Sequence, residues 1–354
     1  MRYTGGFWIR PKNELEMQGE AEEKRLQSAA LFAGFCVIGM IVMMLVMGFG
    51  LYFIVDRAKA MWDSNRPGGY LIYQAASGLQ YCLYMIFPVG ITALIFKRRV
   101  RPFHQRARIG AAACVALALA GWAFCILANY ITNFWLRYLN NVHFPVSTPG
   151  SENIQSGWLG LILPVITTAL LPGIIEELIF RGYILSALRP FGDGPAILCS
   201  ALMFGLLHGN MVQVPFAFML GLVFAFIVVK TGNIVIPMAI HFLNNASATV
   251  QNQLGNDPFF GQTKNADLGV VIAAAIVLLG GAALVILLAN RHPVLRRTTE
   301  ARSALTRKEK HAVLFRSPTV IAAFVLMAVL IVFQVVNAAA AADSGSVGAL
   351  LRMI

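Results

Sequence analysis

The chain has 354 residues, 58% of them hydrophobic and 12% charged, with a mean hydropathy of +0.69. Soluble domains carry about 25% charged residues, so this composition excludes a soluble globular protein and leaves a polytopic membrane protein. A net charge of +12 points at first to nucleic acid, but the lysines and arginines crowd into loops between apolar runs, so no nucleic-acid partner is expected.

In chain order, a polar leader occupies residues 1–28, and its stretch from Asn13 to Gln27 mixes Glu with basic residues as a solvated helix does. It is followed by an apolar run too long for the core of a cleavable signal peptide. A helix needs about 20 apolar residues to cross the bilayer. Three such segments lie within 29–136 (29–55, 69–96 and 109–136), and four shorter ones lie within 157–250 (157–175, 195–212, 214–231 and 233–250). Two more, 268–290 and 318–340, flank a basic loop within 268–354. The expected fold is all-α, with about nine transmembrane helices and a catalytic core of four consecutive helices. No segment alternates over ten residues as a membrane barrel strand would. The loops 137–156 and 251–267 are polar and rich in Asn, Pro and Gly. Cys36, Cys82, Cys114, Cys125 and Cys199 all fall in apolar stretches without a CxxC pair, so they suggest neither disulfides nor a thiolate metal site.

Alternate loops divide the 28 basic residues 22 to 6, with the rich side holding the leader, the run from Lys97 to Arg108 and eight residues between Arg291 and Arg316. By the positive-inside rule that side is cytoplasmic, which gives an internal N-terminus and an external C-terminus in the plasma membrane.

A charged side chain within a span costs at least about 2.5 kcal/mol on insertion scales, so the exceptions carry the functional information. Among the acids these are the adjacent Glu176 and Glu177, and among the histidines His208 and His241. Glu177 and Arg181 are spaced i, i+4 with the acid first, the favourable order for an ion pair. Glu176 sits about 100° around the helix from Glu177, free to face a cavity. Phe204 shares a helix face with His208, and Asn245 with His241, while Pro172-Gly173 just before the acids is a helix-breaking pair. Each feature alone has a structural reading: a lone intramembrane histidine is often a helix-to-helix hydrogen bond, and Phe204 reads as packing. Two acids and two histidines gathered between 176 and 241 are not explained by packing.

The segments EELIFR, FGLLH and HFLNN resemble the EExxxR, FxxxH and HxxxN motifs of the CPBP intramembrane proteases, also called the ABI or type II CAAX prenyl endopeptidase family. RGYIL and KTGNIVIPM, beside the first and third motifs, are also similar, and the likeness covers about residues 157–250. It implies an endopeptidase acting on a membrane-associated protein or peptide at the lipid bilayer. In that scheme Glu176 and His208 activate a water, and His241 and Asn245 stabilise the oxyanion. Glu177 and Arg181 form a supporting pair and Phe204 shapes the pocket floor. Members of the family are often described as metalloproteases, and Glu176, His208 and His241 would be the zinc ligands. The absent HExxH spacing and the His241–Asn245 donor pair favour a mechanism without metal or other cofactor. A proton- or ion-coupled carrier using the same buried set, and an idle scaffold that binds a membrane partner, are the competing readings. One difficulty is depth, since a straight fourth helix ending near residue 175 leaves Glu176 about 10 Å from the level of the histidines.

Overall fold

In hydrocarbon every backbone N–H and C=O must find its partner inside the chain, and long apolar runs meet that demand as helices. The computed structural model describes residues 2–4, 7–9, 14–64, 66–98, 109–144, 155–256, 266–290 and 303–351. The expectations that fall on 99–108, 145–154, 257–265, 291–302 and Ile354 lie outside the described residues. The chain opens with a two-stranded antiparallel hairpin, β1 (Arg2–Thr4) and β2 (Phe7–Ile9), separated in sequence by Gly5-Gly6, a pair that tight hairpin connections favour.

All other described elements are helical. They are α1 (Glu14–Gly50), α2 (Tyr52–Asp63), α3 (Gly69–Ile95), α4 (Ala111–Asn141), α5 (Trp158–Phe191), α6 (Asp193–Leu207), α7 (Gln213–Thr231), α8 (Val235–Asn256), α9 (Ala266–Ala289), α10 (Arg307–Phe315) and α11 (Pro318–Leu351). Seven are long and apolar enough to cross a membrane: α1, α3, α4, α5, α7, α9 and α11. This is an integral, polytopic helical membrane protein, but the expected count of about nine spans is not confirmed. At 15 residues α6 is shorter than the hydrocarbon core is thick, and α8 carries Asn244, Asn245, Gln251, Asn252 and Gln253, which lower its hydropathy.

The fourth helix differs most from expectation. It does not stop near 175 but runs through both acids to Phe191. Two π-helical stretches, Val165–Leu170 and Leu178–Leu185, interrupt its α-helical winding. The first lies between Pro164 and Pro172, and proline's missing N–H and its clash with the carbonyl four residues back are relieved by widening the helix. The continuation to Phe191 places Glu176 near the middle of α5 and removes the depth mismatch.

The core is built around α1. Leu26, Phe32, Cys36, Met40 and Ile41 are buried among α3, α5, α6 and α11. A second cluster joins α4 to α7 and α8 through Leu117, Cys125, Phe224 and Ile240. At one end of the bundle Glu22 accepts hydrogen bonds from Ser303 Oγ (2.7 Å) and Ala304 N (2.9 Å) and pairs with Lys310 (3.3 Å). Lys310 also donates to the Pro190 carbonyl (3.2 Å), so the leader side of α1, the end of α5 and the start of α10 share one face. Elsewhere Gln253 donates to the Gln155 carbonyl (2.8 Å), and Trp135 donates to that of Met211 (3.0 Å).

Candidate active site

The site begins with a local consequence of Pro172. Having no N–H, it leaves the Thr168 carbonyl, four residues back, without its α-helical donor, and Asn245 Nδ2 of α8 donates to that oxygen at 3.2 Å. The hydroxyls of Thr168 and Thr249 meet at 3.1 Å along the same contact. One residue after the proline, Gly173 lets the two backbones approach: a Cβ there would lie 3.1 Å from Phe242 N and 3.4 Å from the Met238 carbonyl. Thus α8 is pinned to α5 one turn before the acids, and this brings His241 to them.

Glu177 is fully buried, and its Oε1 accepts from Arg181 Nη1 at 3.0 Å and from His241 Nδ1 at 3.0 Å. Arg181 reaches past its acid to the Gly221 carbonyl on α7 (Nη2 to O, 3.3 Å). That carbonyl is accessible because α6 and α7 pack closely: a Cβ on Gly221 would lie 3.0 Å from Ala201. The guanidinium lies 4.4 Å from the centre of the Phe204 ring and 5.3 Å from that of Phe224, a cation held between aromatic faces.

Glu176 points elsewhere. Tyr81 of α3 donates its hydroxyl to Oε1 at 2.8 Å. Oε2 is buried without a hydrogen-bond partner among the described residues, and His241 Nε2 faces it at 3.9 Å, beyond direct hydrogen-bond range. Beside the carboxylate is a cavity of about 220 Å³ lined by Tyr81, Tyr84, Glu176, Phe204, His208 and methionines of α1 and α3. His208 closes α6 and is exposed. Its Nδ1 lies 2.9 Å from the Phe204 carbonyl, which can only accept, so that nitrogen carries the hydrogen and Nε2 is left uncommitted by this contact. The Phe204 ring stands edge-on to both imidazoles, 5.1 Å from His208 and 6.0 Å from His241.

Glu176, Glu177, Arg181, Phe204, His208 and His241 therefore come together from α5, α6 and α8. Asn245 lies one turn beyond His241 and contacts Thr168. The pair Glu177–Arg181 turns towards His241, while Tyr81 is the residue that holds Glu176. Among the described residues no group of three His, Cys, Asp or Glu side chains is placed to hold a metal ion. Glu176 and His241 face each other, but among the described residues His208 does not complete with them the zinc ligand set that the sequence resemblance implied. Several residues of the site carried no signal in the sequence. Tyr81, Tyr84 and Met40 are ordinary members of apolar spans. Asn244, whose Nδ2 donates to Asn245 Oδ1 at 3.0 Å and whose Oδ1 faces Asn129 Nδ2 at 3.4 Å, was legible only as a neighbour of Asn245.

Comparison with curated proteins and with solved structures found no significant match. Residues 158–247, about a quarter of the chain, match the family model of the Rce1-like proteins, described as Type II CAAX prenyl endopeptidase Rce1-like. The segment that carries both acids, both histidines and Asn245 is therefore the part of the chain similar to the Rce1-like family, to which the motifs pointed.

Proposed function

We propose that this protein is an intramembrane endopeptidase of the CPBP type that hydrolyses a peptide bond of a membrane-associated protein or peptide with a water activated by Glu176 and His208. One observation supports this most: Glu176 has one oxygen held by Tyr81 and the other unpaired, facing an imidazole across 3.9 Å beside a cavity that His208 also lines. An oxygen atom about 2.8 Å from both Oε2 and Nε2 fits off the line that joins them, as a water or a polarised carbonyl would. Oε2 takes the proton from the water as it attacks, and Glu176 or His208 returns it to the leaving amine.

His241 receives orientation from Glu177, and with both ring nitrogens protonated it turns an Nε2–H towards the developing oxyanion. In that form Glu176, Glu177, Arg181 and His241 are two anions against two cations, which limits the cost of burying them. Asn245 uses one amide hydrogen on Thr168 and has a second to give. No step passes through a metal. The proposed location is the plasma membrane with the N-terminus inside, supported by the 22 to 6 division of basic residues.

The test is reconstitution of the purified protein in liposomes with a quenched-fluorescent farnesylated peptide ending in a CAAX sequence, beside a comparison of membrane peptides from cells with and without active Glu176. Cleavage lost in Glu176→Gln supports the reading. Proton or ion flux without any peptide cleavage would establish the carrier instead. Stoichiometric zinc whose removal stops cleavage and whose return restores it would overturn the metal-free mechanism alone.

A further inference from the structure

The only hydrogen bond to Glu176 among the described contacts comes from α3, which lies wholly outside residues 158–247. We propose that Tyr81 is a positioning residue: its hydroxyl holds Glu176 Oε1 so that Oε2 faces His241 Nε2 across 3.9 Å without closing on it. This rests on the endopeptidase reading.

Tyr70, Gln74, Ser77 and Tyr81 follow one another at spacings of four, three and four, so they share one face of α3. That face is locked to α5. Thr167 Oγ1 donates to Gln74 Oε1 at 2.8 Å, and Gln74 Nε2 donates in turn to Tyr70 Oη at 3.1 Å. Seven residues separate Gln74 from Tyr81, about 10 Å along the helix, so the rotation that satisfies Gln74 also aims Tyr81 at Glu176. Tyr84 meets the Tyr81 ring edge-on at 5.3 Å and 82° and restrains its tilt.

The hydroxyl acts by keeping two groups apart. Without it neither oxygen of Glu176 has a hydrogen-bond partner among the described residues, and His241 Nε2 faces Oε2 at 3.9 Å. A small rotation of the carboxylate closes that distance to a direct ion pair and fills the place where water binds. Tyr81 therefore spends its hydrogen bond on Oε1 and leaves Oε2 without a direct bond to His241. The energetic effect falls on the chemical step, with substrate binding through the cavity little changed.

The experiment uses the full chain in proteoliposomes with the farnesylated CAAX peptide, comparing Tyr81→Phe, Tyr73→Phe and Glu176→Gln with the native protein. Tyr81→Phe is expected to lower kcat about 10- to 100-fold, the scale of a misplaced catalytic group, while KM stays within about twofold and the unfolding temperature is unchanged. Tyr73→Phe, on the same helix but stacked on Trp62 away from the cavity, is expected to keep kcat within about threefold. Infrared difference spectra against Glu176→Gln isolate the Glu176 carboxyl band, and that band is expected to shift in Tyr81→Phe and to stay in place in Tyr73→Phe. An unmoved band in Tyr81→Phe overturns the proposal whatever the turnover. So does normal kcat in Tyr81→Phe beside loss of turnover in Glu176→Gln. Turnover that survives Glu176→Gln overturns the assignment of the water-activating base to Glu176, and the positioning role of Tyr81 falls with it; no cleavage by the native protein overturns the endopeptidase reading itself.

Discussion

At the scale of single residues the two acids differ in what holds them: Glu176 Oε1 takes one hydrogen bond from Tyr81, whereas Glu177 Oε1 takes two, from Arg181 and His241. Glu176 keeps an unpaired oxygen beside the cavity, so Glu176→Gln is expected to lower cleavage of the farnesylated peptide by a factor of about 10² to 10⁴, the worth of a general base. His208→Ala is expected to cost a similar factor. Both variants should insert and remain monodisperse in detergent, and near-normal turnover in either would remove it from the mechanism. Glu177 is bound by Arg181 and His241 together, so Arg181→Ala leaves a carboxylate paired only with an imidazole and empties the space between Phe204 and Phe224. Truncating one partner of such a buried pair costs about 3–5 kcal/mol, so folded yield and thermal midpoint should fall together with activity. Arg181→Ala protein that melts like the native one would show the pair to be dispensable for folding. The acids and histidines were legible because charge is rare in apolar spans. Tyr81 was not, since a tyrosine there reads as packing until its partner is known.

At the scale of elements, the contact between α5 and α8 decides whether the site exists. The acids belong to one helix and His241 to the other, and the close approach at Gly173 and the Asn245–Thr168 bond lie one to two turns from them. Gly173→Ala puts a methyl 3.1 Å from Phe242 N and forces the two helices apart by a few tenths of an ångström. Overpacking of this kind costs about 1–3 kcal/mol. Because geometry enters the rate steeply, activity is expected to fall by about 10-fold or more while helical content by circular dichroism stays native. Native turnover in Gly173→Ala would show that the spacing at this point has slack. The same contact explains why the fourth helix ran longer than its hydropathy suggested. The acids interrupt the apolar run and mark an end when only sequence is considered, but His241, Arg181 and Tyr81 neutralise or solvate them, so the helix passes through. Conversely, 233–250 reads as a span in the sequence, but α8 is not among the seven helices apolar enough to cross, and its Asn face is satisfied against α4 and α5.

At the scale of the whole molecule, the Rce1-like segment is completed by helices it does not contain: α1 and α3 line the cavity, and α1 with α11 encloses the largest buried cluster. The described ends of α1, α5 and α10 meet at Glu22 and Lys310, in agreement with their place on one basic face. With that face cytoplasmic, an impermeant thiol reagent applied to intact cells is expected to label a cysteine introduced at 348 and to spare one introduced at 104, and the opposite pattern would invert the topology. Composition and charge placement by themselves determined the membrane, the helical class and the residues that hydrocarbon would not tolerate without reason, because burial of charge is too costly to be accidental. The motif spacing pointed to the family whose model is similar to residues 158–247, since a helix fixes which residues share a face. Only the tertiary structure decided that Glu177 bonds to His241 and not to Glu176, that Tyr81 holds Glu176, and that α5 runs on to Phe191. Each of these depends on a hydrogen bond or close contact between residues far apart in the chain, and periodicity along one helix carries no information about which neighbour will satisfy it.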